Sequence, residues 1–463
     1  MKHLLRNPLI VVLALMVGTL ACSLTAEPPA TLPPRTPVSQ ATTTPQSTIG
    51  PQFTVQAQDP ANAPQLPGDF VAGAPAGQSM QGQLALVDSN RLWNTITTLV
   101  NFEDRYTLYE PSQSKGIYAA RDYILTELYK LQTENPNVRI DAYTHQFQFN
   151  WGGEGIYAEN IVMVVNGTDP DAGIVLVGAH YDTISDIGAT RQPGANDNGT
   201  GVAAVLEIAR IIAQKPHRAT VIFVFFSGEE LGMYGSKAYV EEFIKPNNIP
   251  LRAVMNLDMI GSPTGPDGSR HDNEMRVFSS KPNSSQSRQL ARLSEFAARY
   301  FVPDMKVWVQ DDVDRPGRWG DHIPFTEAGF PSIRFIEQAD DATRMHNLRD
   351  STEDIDAAYL QRTTKVALAT LLILADGPPP PQDIRINPAN WRIEWLPSRD
   401  ADRYVLALRR PGSLVYDQEI TVDVTGFTWP DLRVYEAVAI AAIDSSGQVG
   451  PFSNEILITS VAQ

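Results

Sequence analysis

The spacing of apolar residues changes character along the chain, and each change marks a region. Between about Leu84 and Ala375, short and nearly uninterrupted apolar runs alternate with stretches in which apolar positions recur every three or four residues. ALVDSNRLWNTITTLV and SKGIYAARDYILTELYKLQ carry the helical period, as does TGVAAVLEIARIIAQ between Gly201 and Pro216. AENIVMVVNG, AGIVLVGAHYD, ATVIFVFFSGEE, LRAVMNLDMIG and FPSIRFIEQ read as strands. Continuous apolar strands separated by helices predict an α/β domain whose mostly parallel central sheet is covered by helices on both faces. Beyond GPPPPQD the pattern becomes an alternation, in WRIEWL, RYVLALRR, EAVAIAAID and NEILITS, which predicts a small all-β sandwich at the C-terminus.

No period is legible ahead of residue 84. PPATLPPRTPVSQATTTPQSTIGPQ and the residues after it, through about Met80, are rich in Pro, Thr, Gln and Ala and too poor in apolar residues to offset the entropy of ordering. The expected organisation is therefore a signal segment at 1–22, a disordered Pro/Thr-rich tether at 23–83, the α/β domain at 84–376, a Pro-rich linker at 377–382 and the sandwich at 383–463. MKHLLRNPLIVVLALMVGTLAC begins basic and continues apolar for about the length of a signal h-region. It ends on Cys22, the single cysteine of the 463 residues, so no intrachain disulfide can form. The segment resembles bacterial lipoprotein signals, which implies lipidation at Cys22 and a membrane-anchored, extracytoplasmic protein. Ordinary signal cleavage or an uncleaved anchor is the alternative. A formal net charge of -16 argues against nucleic acid as a partner, because the summed field repels phosphates.

The polar residues that interrupt the apolar runs fall at one edge of the predicted sheet. His180 and Asp182 follow IVLVGA, Glu229 and Glu230 follow VIFVFF, Asp258 follows AVMNL, and His346 lies in the loop after SIRFIE. Asp197, in PGANDNGTG ahead of a helix, belongs to the same edge. Open α/β sheets build their sites at the C-terminal ends of strands, so these side chains are expected to share one crevice. Two histidines with Asp197, Glu230 and Asp258 are ligand types suited to zinc. Two zinc ions against three carboxylates leave a small positive excess that a hydroxide would neutralise. Such ions would also make the adjacent pair Glu229 and Glu230 tolerable, with Glu230 binding metal and Glu229 free.

The ordered set GAHYD, GANDNGTG, FFSGEELGMYGS, NLDMIG, GDHIPF and MHNLRDSTEDI resembles the M28 family of zinc aminopeptidases across the central domain. The resemblance implies a zinc exopeptidase-like fold with two zinc ions: His180 and Asp258 on one, Glu230 and His346 on the other, Asp197 bridging both. It implies Glu229 as the general base toward a metal-bridging water and Asp182 as the carboxylate that orients His180. It also raises the prospect of a cis peptide between Asp197 and Asn198. The substrates implied are peptides with a free N-terminus. His322, in GDHIPF, is either a substrate contact or a support of its loop. The acidic QDDVD at 310–314 reads as a solvated loop, with a calcium site as the alternative. His145 reads as a strand surface residue, and His217 and His271 receive no role. The C-terminal strands, with Trp395, Tyr404 and Tyr435 as core aromatics, resemble a fibronectin type III module. Alternative functions are a glutaminyl cyclase-like zinc transferase, suggested by GDHIPF, and a noncatalytic binding ectodomain.

Overall fold

The computed structural model describes residues 71–72, 78–108, 112, 114–185 and 192–458. The expected signal segment with Cys22, and the tether as far as residue 70, lie outside the described residues. The helices are α1 (Gln78–Leu84), α2 (Ser89–Asn101), α3 (Gly116–Glu134), α4 (Gly201–Ile212), α5 (Tyr234–Ala238), α6 (Gln286–Phe301), α7 (His322–Glu327) and α8 (Ala357–Asp376). The first strand is β1 (Val71–Ala72). Those of the α/β domain are β2 (Ile140–Trp151), β3 (Glu154–Val165), β4 (Ile174–His180), β5 (Thr220–Phe226), β6 (Leu251–Leu257), β7 (Glu274–Ser279), β8 (Lys306–Gln310) and β9 (Ser332–Glu337).

Strands β2 to β9 form one sheet in the order β2-β3-β5-β4-β6-β9-β7-β8. Its centre, β5-β4-β6-β9, is parallel, and β7 pairs in parallel with β8. The parallel centre is as expected, and antiparallel pairings of β2–β3, β3–β5 and β9–β7 at the flanks make the whole sheet mixed. The chain can turn straight back between β2 and β3 because Gly152 and Gly153 both adopt positive φ, 62° and 92°, as a two-residue hairpin loop requires. One face of the sheet is covered by α2, α3, α4, α6 and α8, whose buried residues join it in a single apolar cluster. The other face is covered by α7 and by the π-helical turn Tyr239–Ile244 that continues α5. Helices thus lie on both faces, as the continuous apolar strands require.

The tether expected to reach residue 83 ends sooner. Gln78–Leu84 is helical, with Met80 and Leu84, four positions apart, buried in the main core.

The C-terminal strands are β10 (Gln382–Asn387), β11 (Arg392–Leu396), β12 (Arg403–Arg409), β13 (Gln418–Val422), β14 (Gly426–Thr428), β15 (Ala437–Ile443) and β16 (Ile456–Leu457). They form two antiparallel sheets, β10-β11-β14 and β1-β13-β12-β15-β16. Alternate residues of β12 serve two cores: Tyr404, Leu406 and Leu408 face the sandwich, and Val405 joins the cluster of the α/β domain. Hence β12 and β15 are buried on both faces, and the sandwich is fused to the α/β body rather than held off by its linker. Helix α6 makes the seam. Arg292 and Arg299, seven positions apart and so on one face, reach Glu455 at 2.9 Å and Glu419 at 3.0 Å, and Phe296 between them packs edge-on against Phe452. At the linker, Gly377 and Gly450 meet backbone to backbone; a Cβ on Gly377 would sit 2.2 Å from Gly450 Cα.

Candidate metal centre

Register brings the polar residues level with one another. His180 pairs with Phe226 across β4 and β5, so Glu229 and Glu230 emerge just beyond His180. Gly178 pairs with Asn256 across β4 and β6, which puts Asp258, two residues on and on the same face, beside His180. Asp197 arrives from the turn before α4, where the peptide Asp197–Asn198 is cis. His346 comes from the loop after β9 and adopts a left-handed φ of 56°.

The two oxygens of Asp197 face opposite partners. Oδ1 lies 3.3 Å from His180 Nε2, which is itself 3.6 Å from Asp258 Oδ1. Oδ2 lies 3.6 Å from His346 Nε2, which is 3.1 Å from Glu230 Oε2. Two histidine–carboxylate pairs therefore share one bridging carboxylate. Ligands about 2.1 Å from a tetrahedral zinc are about 3.4 Å apart, the spacing seen in both halves. Ligand atoms of His180, Asp197 and Glu230 all lie within 4.8 Å of one another. Asp258 Oδ1 and Glu230 Oε1 are buried with no hydrogen-bond partner, a costly arrangement for carboxylates that a cation would satisfy. The donor set and these orphaned oxygens fit a pair of metal ions.

Electrostatics describe the same demand. Burial, with Asp197 beside it, pushes the Glu230 carboxyl up to about 7. Burial likewise raises Glu229, and Asp321, Glu230 and Asp258 add to the rise while His180 opposes it. Burial alone would lower His346, but its hydrogen bonds to Asp197 and Glu230 lift it to about 11. Too many anions share too little solvent, and each histidine is held as a positive charge in their place.

Asp182 is completely buried and ties the strand ends together. Its carboxylate accepts the backbone N–H groups of Glu229 at 3.2 Å and Glu230 at 3.3 Å, and the hydroxyl of Thr107 at 3.2 Å. Its backbone carbonyl lies 3.2 Å from His180 Nδ1 and accepts that nitrogen's proton, which leaves Nε2 facing Asp197 and Asp258, where its lone pair becomes a ligand once a cation replaces the proton held there. Glu229 is partly buried, and its charge acts on His180.

Three residues to which the sequence assigned no role complete the frame. Asp350, in MHNLRDSTEDI, accepts the N–H groups of Asn196 at 2.7 Å and Asp197 at 3.0 Å and so fixes the bridging residue. Arg105, with no exposed surface, donates to the carbonyls of Tyr181, Pro193 and Gly194 at 2.7 to 2.9 Å, clamping the two loops that carry Asp182 and Asp197. Arg334 donates to Asp258 Oδ2 at 3.0 Å. An arginine inside the apolar run SIRFIE is the signal that could have found it, since a buried guanidinium must be paired.

Several expectations need correction. His322 is fully buried, with Nε2 2.7 Å from the Val313 carbonyl, so it supports its loop from within and does not offer a substrate contact. Of the QDDVD carboxylates, Asp311 and Asp312 are exposed, as a solvated loop requires, and meet Arg288 and Lys281, whereas Asp314 is buried against Arg334. His145 is mostly buried, stacked on Phe147 and near Asn160. His217 is buried between Asp376 and the Ile212 carbonyl.

The sequence profile described as Peptidase family M28 matches residues 160–371, the span from β3 through α8. A probable zinc metalloprotease of Leptosphaeria maculans is 30% identical over 359 residues, 69% of this chain and 83% of the relative. The chain belongs to peptidase family M28. It is therefore a hydrolase of peptide bonds. A probable zinc metalloprotease of Pyrenophora teres f. teres is also 30% identical, over 81% of this chain and 86% of that protein. These relatives are fungal, where the signal segment suggested bacterial kin. Among solved structures, the LapA aminopeptidase of Legionella pneumophila superposes with a TM-score of 0.51 at 20% identity, covering 66% of this chain and 77% of that one. An aminopeptidase from Aneurinibacillus sp. strain AM-1 gives the same TM-score, 0.51, at 14% identity, covering 64% and 96%. Both share the fold.

Proposed function

We propose that this M28 peptidase is a zinc aminopeptidase that holds two ions and removes N-terminal residues from peptides. The observation that carries the reading is Asp197, whose two oxygens each face a separate histidine–carboxylate pair. His180 and Asp258 would hold one ion, Glu230 and His346 the other, with Asp197 shared. When bound, such ions polarise a peptide carbonyl and make water acidic near neutral pH. The residues of the chain do the rest. Glu229, raised by its buried and anionic surroundings, takes the proton of the attacking water and returns it to the leaving amine. Asp182 keeps the His180 tautomer and fixes the backbone of Glu229. Asp350 and Arg105 hold Asp197 in place. The fungal relative, a probable zinc metalloprotease, supports zinc, and the fold shared with the LapA aminopeptidase supports exopeptidase action.

The apolar signal segment and solitary Cys22 support an extracytoplasmic, lipid-anchored enzyme; no helix among the described residues is long and apolar enough to cross a membrane. The sandwich is read as fibronectin type III-like, a reading supported by its two antiparallel sheets, β10-β11-β14 and β1-β13-β12-β15-β16, and by its short alternating strands. A panel of aminoacyl chromogenic substrates, assayed with and without a chelator, tests the activity. Hydrolysis abolished by the chelator and restored by zinc is expected. Cyclisation of N-terminal glutamine with no amino acid released would favour a transferase instead.

A further inference from the structure

Arg334 occupies a place that the two-ion reading leaves unexplained. It lies mid-strand in β9, where an apolar side chain would be ordinary, and its side chain is 3% exposed. Its cross-strand partner in β6 is Asn256, and Asp258 comes two residues later on the same face, so Arg334 points along the sheet toward the site. The guanidinium fork then engages two carboxylates and a loop. Nη2 meets Asp258 Oδ2 at 3.0 Å, and Nη1 meets Asp314 Oδ2 at 2.8 Å and the Trp319 carbonyl at 2.9 Å.

The effect on Asp258 is geometric. With Oδ2 occupied, the carboxylate cannot rotate, and the remaining oxygen, Oδ1, is buried, without a hydrogen-bond partner and 3.6 Å from His180 Nε2. A single oxygen of fixed direction is left for a cation. The other half of the site lacks this device: among the described residues, Glu230 pairs with His346 and with no arginine. Asp197 is shared, so Arg334 acts on one half alone.

We propose that Arg334 is a positioning residue for the His180–Asp258 half of the metal centre, locking Asp258 as a one-oxygen ligand by bridging it to Asp314. A lysine could keep the charge but not the bridge, since an ammonium lacks the planar fork that spans two carboxylates. Charge balance alone would therefore survive Arg334→Lys, and positioning would not.

The inference rests on the two-ion reading, and zinc affinity separates the two. Wild type, Arg334→Lys, Glu230→Gln and the double variant are dialysed against graded zinc buffers, and bound metal is counted by mass spectrometry. Arg334→Lys is expected to weaken one ion by about 10- to 100-fold, the usual cost of losing an outer partner of a ligand, and to leave the other unchanged. Glu230→Gln weakens the other ion, so the double variant loses both. Asp314→Asn leaves Arg334 in place but loosens its anchor, and gives a smaller loss on the same ion as Arg334→Lys; it decides the matter if the lysine variant does not fold. Wild-type affinity for both ions in the two outer variants, or a double variant no weaker than Glu230→Gln, overturns the inference while leaving the function intact. A wild type that binds fewer than two ions overturns the two-ion reading and this inference with it.

Discussion

Replacing Glu455 by glutamine keeps the side chain's size and removes one negative charge from the seam between α6 and the sandwich. The wild-type carboxylate is 5% exposed and meets Arg292 Nη1 at 2.9 Å and Arg409 Nη2 at 2.9 Å, both guanidinium groups having no exposed surface. Burial lowers Arg292 to about 10, so it stays charged at neutral pH. Once Glu455 is neutral, Arg409 still holds Glu436 at 2.8 Å, whereas Arg292 keeps only uncharged acceptors, the Leu414 and Asn283 carbonyls and the Asn283 side chain. Stranding one partner of a buried pair costs about 3–5 kcal/mol. The glutamine oxygen still accepts one hydrogen bond, which returns about 1 kcal/mol. The expected net loss is about 2–4 kcal/mol, a sizeable part of the ~5–15 kcal/mol that holds a typical protein folded. Urea is the suitable denaturant, because guanidinium chloride would screen the charges under test. Because the two cores are continuous through Val405, Ala441, Ile443 and Val449, near-ultraviolet signals from the sandwich and far-ultraviolet helix signals should shift together in one transition. A loss below about 1 kcal/mol, or a sandwich that unfolds separately while the helices stay put, would refute the claim that the seam is structural.

Four further outcomes are expected. Glu229→Gln should lower turnover by about 10²- to 10⁴-fold with both ions retained, whereas Glu230→Gln should lose an ion on dialysis and recover with excess zinc; metal analysis beside the peptidase assay checks both, and the opposite pattern reverses the two roles. Burial raises Glu419 from 4.5 to about 7 against the pull of Arg299 and Tyr300, so the native state binds the extra proton and this contribution to stability, present below about 4.5, is lost as pH rises through about 7. Glu419→Gln should flatten that part of the stability-versus-pH curve, and an unchanged slope would count against the shift. A chain ending at Asp376 keeps every proposed ligand but exposes the Arg292, Phe296 and Arg299 face of α6, and is expected to yield little folded protein; a soluble, fully active fragment would show that the sandwich is dispensable. Cys22→Ala should release the protein from the membrane fraction, and continued retention there would argue against lipidation.

Local pattern was enough to say where the strands stop. An uninterrupted apolar run such as VIFVFF ends where polar residues begin, so the positions of His180, Glu229, Glu230 and Asp258 at one sheet edge are legible from the chain alone. The alternation of helical and strand periods likewise carried the α/β class and the all-β ending. The pattern has nothing to say about which strands become neighbours. Strand order put β9 beside β6, and only that adjacency makes Arg334 the partner of Asp258 and removes Asp314 from solvent. The same limit hid Arg105 and Asp350, which act on backbone groups 89 and 153 residues away, and turned His322 from the cleft to the interior. It also hid the fusion of the two domains, since the polar face of α6 looks solvated until Glu455 and Glu419 arrive from the far end of the chain. Local periodicity reports which face of an element is apolar; the pairing of a buried charge depends on long-range contacts that only the folded chain creates.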